Sequence, residues 1–93
     1  MNELLKRLVE VTAPSGYERA ARALVEAEIR DLVDDIQVDA LGNLIARKGK
    51  KGKQGRTVMI AAHLDEIGIM VTHIDEKGFA RFTTIGGVWN YNL

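Results

Sequence analysis

An unbroken apolar run at residues 57–62 is the feature that most constrains how this chain folds. A strand that is apolar at every position is usually buried on both faces, as in a sheet with helices on either side. His63, Asp65 and Glu66 follow the run almost at once. Because ligands collect just beyond the carboxyl ends of strands in open α/β sheets, the sequence predicts a functional site at this point.

The spacing of His63 and Asp65 is typical of a metal ligand and its orienting partner. Residues i and i+2 of an extended chain point to the same side, which brings the imidazole and the carboxylate together. A carboxylate in that position fixes the orientation of a metal-binding histidine. For an isolated His-x-Asp the commoner outcome is a polar strand end whose histidine bonds a nearby carbonyl group. The apolar flank favours the metal site, because polar groups at the edge of a core are costly unless paired or metal-bound.

Three other polar residues are weaker candidates. Glu66 could add a second carboxylate to the site, although a solvated acid in a turn is the simpler interpretation. His73 falls inside a predicted strand and is interpreted as a surface residue. Ser15 could act as a nucleophile, but no base is placed to activate it. With Glu18 three residues later, Ser15 instead predicts a helix-capping box.

Composition and charge bear on the class of partner. Thirteen basic and thirteen acidic side chains give a formal net charge of zero, and the glycine- and lysine-rich residues 48–56 include no aromatic side chain for base stacking. No nucleic-acid partner is therefore predicted. The chain has no cysteine, which excludes disulfides and thiolate metal sites. It shows no signal-peptide pattern and no apolar run long enough to span a bilayer, so the default prediction is a cytoplasmic protein without a membrane partner.

Periodicity and turn residues predict an α/β or α+β fold, with two amphipathic helices followed by a hairpin, the buried strand and a second hairpin. The predicted bounds are a helix ending near Val11, a helix over about residues 16–32, strands at 36–39 and 44–47, the strand at 57–62, and strands at 67–74 and 79–84. The apolar stripe of the second helix is predicted to be Ala20, Leu24, Val25, Ile29, Leu32 and Val33, with Arg22 facing solvent.

Five segments of the chain, taken in order, resemble the start of the deblocking or glutamyl aminopeptidases, family forty-two of the metallopeptidases. Within this frame the sequence His-Leu-Asp-Glu-Ile-Gly at residues 63–68 is the specific motif. The glycine turns alone would be a weak signal. The segments are residues 13–18, 39–46, 60–68, 75–79 and 85–87.

The resemblance implies an α/β catalytic domain that holds two divalent metal ions, zinc or cobalt, and hydrolyses N-terminal residues from peptides. It implies that His63 binds one metal and that Asp65 has a catalytic role in orienting His63. Residues 1–68 would belong to the catalytic domain, and residues 69–93 would begin an inserted β-rich dimerisation domain. Members of the family are expected to form homo-oligomers, from dimers to dodecamers.

The remaining metal ligands and the catalytic glutamate lie further along the chain in the family, and no residue here matches them. A catalytic zinc normally has three protein ligands. The isolated chain is therefore expected to lack peptidase activity. The competing hypothesis is a non-catalytic interaction module of the same fold, which would pair with another chain through the region of Trp89 and Tyr91.

Overall fold

The computed structural model describes residues 2–49 and 55–89. Within these residues the chain forms two helices and two antiparallel sheets of two strands each, which confirms the α+β class expected for it. In chain order, the elements are α1 (Asn2–Glu10), α2 (Arg19–Ile29), a 3₁₀ turn (Arg30–Leu32), β1 (Asp35–Val38), β2 (Leu44–Arg47), β3 (Gly68–Ile74) and β4 (Ala80–Ile85).

Helix α2 begins at Arg19 rather than near residue 16. The chain turns through Gly16, whose φ is +87°, and the Glu18 carboxylate accepts the backbone N–H of Gly16 at 2.6 Å. Glu18 directly precedes the helix and makes no capping bond with its side chain, so the predicted capping box with Ser15 is wrong. The reason is the left-handed turn at Gly16, a conformation that glycine adopts without steric cost and that delays the helix.

The side chain that α2 buries most deeply is that of Ala21, which is 3 % exposed. The predicted stripe is confirmed at Leu24, Val25, Ile29 and Val33, which are half-buried, and is wrong at two positions. Ala20 is exposed, and Leu32 is 60 % exposed. Leu32 leaves the stripe because the α-helix ends at Ile29 and the tighter 3₁₀ turn that follows changes the angular spacing of side chains.

Two of the ion pairs in the described residues involve α2. Glu26 and Arg30 pair at the end of α2. Arg7 Nη1 lies 2.5 Å from Glu28 Oε1, which connects α1 to α2. Both pairs are partly exposed to solvent, so each is expected to contribute little to stability.

The first hairpin pairs β1 with β2 in antiparallel register, from Asp35 opposite Arg47 to Val38 opposite Leu44, as predicted. Its turn passes through Gly42, whose φ is +88°. The half-buried Arg22 of α2 donates from Nη1 to the Gly42 carbonyl oxygen at 2.9 Å. The prediction that Arg22 faces solvent is therefore wrong, because its guanidinium satisfies a turn carbonyl 20 residues away.

The second hairpin pairs β3 with β4, with a register irregularity between Val71 and His73. Its turn is closed by the Asp75 carboxylate, which accepts the backbone N–H groups of Lys77 and Phe79. This hairpin confirms the two strands predicted after the His-Leu-Asp-Glu motif. Its apolar side chains are largely exposed, among them Ile69, Met70, Val71, Ile74, Phe79 and Phe82.

The prediction of a buried strand at residues 57–62 is wrong for this structure. These residues form no strand and are exposed, with Val58 at 83 %, Met59 at 85 % and Ile60 at 94 %. The physical reason is that no strand within residues 2–49 and 55–89 lies beside the segment to take its backbone hydrogen bonds or cover its side chains. The apolar composition of residues 57–62 therefore indicates a segment that is suited to burial, although it is not buried in this structure.

The described part of the chain has a small core. Ala13 and Ala21, each 3 % exposed, are its fully buried apolar residues, and the molecule is elongated, with extents of 66 × 27 × 24 Å. Among residues 2–49 and 55–89, no helix combines the length and apolar character that crossing a membrane requires.

Candidate metal site

His63 and Asp65 lie together, as their spacing predicts. His63 Nδ1 is 3.1 Å from Asp65 Oδ1 and 3.0 Å from the backbone oxygen of Asp65. Both partner atoms are hydrogen-bond acceptors, so the neutral ring that satisfies them carries its proton on Nδ1. That tautomer leaves a lone pair on Nε2. The His63 side chain is 86 % exposed, which keeps this nitrogen accessible.

This arrangement fits one ligand of a metal ion together with its orienting carboxylate. Metal-binding histidines commonly donate their second ring N–H to a carboxylate or a carbonyl oxygen, which fixes the ring and raises its basicity. His63 has both kinds of acceptor on Asp65. However, the part of the chain that the structure describes holds no group of three or more His, Cys, Asp or Glu residues that could surround an ion. The described residues therefore expose one ring nitrogen, Nε2 of His63, without a group of side chains that could complete a metal site.

The pair borders an open cavity of about 480 Å³. The cavity lies between α2, the β1–β2 turn and residues 62–65, and its apolar walls include Val25, Ile29 and Leu44. A few polar groups beside apolar walls are the arrangement that orients a ligand in a binding cleft.

Glu66 is placed differently from its predicted role as a solvated turn acid. Its carboxylate Oε1 accepts the backbone N–H of Ala13 at 3.0 Å, and its own N–H donates to the Ala13 carbonyl oxygen at 2.9 Å. Pro14 and Glu66 also form an isolated parallel bridge. Sequence analysis missed this contact because 53 residues separate the partners and neither carries a local signal for the other.

The other candidates lie outside this cluster. His73 is exposed on β3, opposite Arg81, and is not among the residues that line the cavity. Ser15 is exposed in the loop before α2. Most of the basic segment falls on residues 50–54, and Tyr91 falls on residues 90–93, all of which lie outside the described residues.

Comparison with known proteins identifies the family. The model of the M42 glutamyl aminopeptidases matches residues 42–93, which is more than half of the chain. The chain belongs to the M42 family. The resemblance drawn from the sequence motifs is thereby confirmed, and the match includes the His63–Asp65 pair and both strands of the second hairpin.

Individual M42-like proteins support the assignment. The lysyl aminopeptidase of Pyrococcus furiosus is 47 % identical over 88 residues, which are 92 % of this chain and 24 % of that protein. The structure of aminopeptidase APDkam598 from Desulfurococcus kamchatkensis is similar at a TM-score of 0.87 and 43 % identity, over 96 % of this chain and 24 % of that one. PhTET1-12s, described as a dodecamer, has a TM-score of 0.78 at 39 % identity, over 95 % of this chain and 26 % of that one.

The chain spans about a quarter of the length of the curated M42 relatives it matches. This share agrees with what the geometry shows. The described residues contain the His63–Asp65 contact and no group of three or more His, Cys, Asp or Glu residues that could surround an ion.

Proposed function

We propose that this chain contributes one metal ligand, His63, and its orienting carboxylate, Asp65, to a metal-dependent aminopeptidase that removes N-terminal residues from peptides. The observation that carries the proposal is the Nδ1 contact of His63 with Asp65, which leaves Nε2 exposed, in a chain that belongs to the M42 family. Relatives named as lysyl and glutamyl aminopeptidases support the reaction class.

The chemistry divides between the metal ions and the protein. Two divalent ions, zinc or cobalt, would polarise the scissile carbonyl and lower the pKa of a bound water. His63 would hold one of them through Nε2. Asp65 would act on His63 alone: by accepting a hydrogen bond from Nδ1–H it fixes the tautomer, orients the ring and increases the electron density at Nε2.

The isolated chain is proposed to be inactive. A catalytic zinc normally takes three protein ligands, and the described residues offer no such group. The test is to incubate the purified chain with Co²⁺ and an aminoacyl chromogenic substrate. Release no faster than that caused by Co²⁺ alone is the expected result. Release that depends on the metal and disappears in His63→Ala would refute the inactivity of the chain.

The role of His63 is tested in a chimeric enzyme. Here the lysyl aminopeptidase of Pyrococcus furiosus carries residues 1–93 of this chain in place of its matching segment. We expect the chimera to cleave a lysyl substrate and to bind Co²⁺, and His63→Ala to reduce both activity and affinity for the metal. His73→Ala is the matched control, because His73 is an exposed histidine on β3 away from the cavity. An equal loss of activity and Co²⁺ affinity in His63→Ala and His73→Ala, or no loss in either variant, would contradict the proposal.

We propose that residues 1–68 belong to the catalytic domain and that residues 69–93 begin the inserted dimerisation domain. The break between β2 and β3 supports this division, since the two hairpins belong to separate sheets. The exposed apolar side chains of the second hairpin support a role in assembly. The complete protein is proposed to be a cytoplasmic homo-oligomer, and the dodecamer described for PhTET1-12s supports the oligomeric part of this proposal.

A second candidate function is a non-catalytic interaction module. It is favoured by the exposure of Val58, Met59 and Ile60 next to the second hairpin, since apolar surface of this extent is typical of interfaces. Analytical ultracentrifugation of the 93-residue chain tests this candidate. A monomer at micromolar concentration would count against the module, and a chimeric enzyme whose activity and Co²⁺ binding depend on His63 would favour the first candidate.

A further inference from the structure

The segment that carries His63 and Asp65 has little structure of its own. From residue 57 to residue 65 the described chain contains no helix, strand or bridge. The first bridged position after the segment is Glu66, directly next to Asp65 in the chain. What holds Glu66 therefore decides where the backbone of Asp65 lies.

Glu66 is held by the loop between α1 and α2 through two reciprocal hydrogen bonds. The Ala13 N–H donates to Glu66 Oε1 at 3.0 Å, and the Glu66 N–H donates to the Ala13 oxygen at 2.9 Å. Ala13 is 3 % exposed, so its end of the contact is fixed in the small core. Hydrogen bonds to a charged acceptor are stronger than those between neutral groups.

The packing around Gly68 adds a steric element to the same contact. A Cβ at Gly68 would lie 3.2 Å from Cβ of Pro14, a distance closer than ordinary van der Waals contact. The absence of a side chain at Gly68 thus allows the start of β3 to approach the loop. Glu66 and Gly68 together hold the end of the motif against Ala13 and Pro14.

We infer that Glu66 is a positioning residue, which holds the His63–Asp65 pair against the α1–α2 loop and so fixes the orientation of the His63 ring and of its Nε2. The inference rests on the proposed function of His63 as a metal ligand and deepens it. The chain of contacts runs from buried Ala13 to Glu66, through the peptide bond to Asp65, and from the Asp65 oxygens to His63 Nδ1.

The geometry assigns Glu66 to this role rather than to direct chemistry. Its Oε1 is committed to a backbone donor of the α1–α2 loop, and Glu66 is not among the residues that line the cavity beside His63. A side chain that acts by accepting an N–H bond can be replaced by glutamine, whose amide oxygen also accepts. A metal ligand or a general base cannot be replaced in this way without loss, because both depend on the ionised carboxylate.

The experiment uses the chimeric enzyme and three variants of the contact. Glu66→Ala removes the acceptor, Glu66→Gln keeps it without the charge, and Gly68→Ala pushes against Pro14 while leaving Glu66 intact. For each variant we would measure kcat, KM, the dissociation constant of Co²⁺ by chelator competition, and hydrogen exchange at the Ala13 N–H in the metal-free protein. Matched controls are Glu76→Ala, an exposed glutamate in the β3–β4 turn, and Gly87→Ala, where a Cβ meets nothing within 4 Å.

We expect Glu66→Ala to weaken Co²⁺ binding and lower kcat by about 10–100-fold, the range seen when a residue that orients a metal ligand is removed. KM should stay within about twofold, since substrate contacts are untouched. Exchange at Ala13 should accelerate about tenfold, as loss of one hydrogen bond predicts. For Glu66→Gln, Co²⁺ affinity, kcat and exchange at Ala13 should remain close to those of the unsubstituted chimera. Gly68→Ala should change these quantities in the same direction as Glu66→Ala, but by less. Neither control variant should change them.

Two results would overturn the inference. Unchanged Co²⁺ binding and kcat in Glu66→Ala would show that the contact does not position His63. A loss in Glu66→Gln equal to that in Glu66→Ala would show that the charge of Glu66 acts directly. If His63→Ala leaves Co²⁺ binding intact, the proposed function fails separately. In that case the contact is judged by exchange at Ala13, which must accelerate in Glu66→Ala and not in Glu66→Gln.

Discussion

Two aspartates, Asp39 in the first hairpin and Asp65 in the candidate site, organise their surroundings in opposite ways. Asp39 accepts the backbone N–H groups of Leu41 and Asn43 and the side-chain amide of Asn43, all at 2.8–3.0 Å. Every partner lies within four residues of Asp39. Among the described residues, the Asp65 side chain contacts one side chain, that of His63. Its position depends on Glu66, which bonds a residue 53 positions away.

The difference shows how a turn and a site use the same kind of side chain. The hairpin turn is a local structure whose donors and acceptor satisfy one another. The site is a local pair on a segment that has no regular structure between residues 57 and 65. The first can form from its own sequence, whereas the second takes its orientation from another part of the fold. Changes at the two places should therefore affect different properties of the protein.

The largest effect is expected at Asp65. In the chimeric enzyme, Asp65→Ala should lower kcat about 10–100-fold, because His63 loses the acceptor that fixes its tautomer and orientation. Unfolding of the isolated chain should be unchanged, since the side-chain contact that Asp65 makes is to an exposed ring. Steady-state kinetics and urea denaturation check the two parts. Asp31→Ala, an exposed aspartate in the 3₁₀ turn, is the control. If Asp65→Ala lowered stability without lowering kcat, Asp65 would have the structural role assigned to Asp39, which would contradict the comparison.

The second-largest effect is expected at Gly42, where a substitution should lower the stability of the chain. Gly42→Ala places a side chain at a φ of +88°, which costs about 1–2 kcal/mol for a residue other than glycine. The new Cβ would also lie 2.9 Å from Arg22 Nη1 and displace the guanidinium. Urea denaturation of the 93-residue chain, followed by circular dichroism, measures the change. Gly87→Ala, with no positive φ and open space around it, should be neutral. Equal changes in both variants would show that the Gly42 turn is not specially constrained.

The same contrast explains what could be predicted from sequence. Both hairpins follow from turn residues and alternation close together in the chain, and their strands fall within one or two residues of the predicted bounds. The His63–Asp65 contact follows from an i, i+2 spacing. In each case the cause and the consequence lie within a few residues.

Three of the failures have a different cause. The bond between Glu66 and Ala13 and the bond between Arg22 and Gly42 join residues far apart in sequence, and no local pattern encodes them. Burial of residues 57–62 depends on neighbouring elements that the described chain does not place beside them. Composition alone cannot provide such neighbours. Predictions from sequence were therefore reliable for the two hairpins and for the His63–Asp65 pair, and unreliable where a distant partner decides the outcome. The capping box at Ser15 failed for a local reason, the left-handed turn at Gly16.

A smaller effect is expected from pH at the first hairpin. The side-chain hydrogen bond from Asn43, followed by its backbone bond, lowers the pKa of Asp39 below its usual 3.8. Because folding favours the ionised form, the contribution of Asp39 is complete above that value and is lost as the pH falls through the lower, folded-state pKa. An NMR titration of the Leu41 and Asn43 amides should show a midpoint below 3.8. Asp39→Asn should abolish this titration, and a midpoint at or above 3.8 would contradict the local network.

The smallest effect is expected at the ion pair between α1 and α2. Arg7 and Glu28 are 45 % and 33 % exposed in their side chains, and pairs of this kind are worth about 0.2–1 kcal/mol. A double-mutant cycle of Arg7→Ala and Glu28→Ala, measured by urea denaturation at low and high salt, gives the coupling energy. We expect a small coupling that falls with salt.

This outcome would sharpen the comparison between the two aspartates. If the ion pair contributes little to stability, it does not hold α1 and α2 together. The α1–α2 loop is then fixed by the burial of Ala13, the residue to which Glu66 bonds. A coupling well above the range for exposed pairs would instead mean that Arg7 and Glu28 fix the α1–α2 loop. Glu28→Ala would then weaken Co²⁺ binding in the chimeric enzyme as Glu66→Ala does. In that case the orientation of His63 would depend on the Arg7–Glu28 pair as well as on the contact of Glu66 with Ala13.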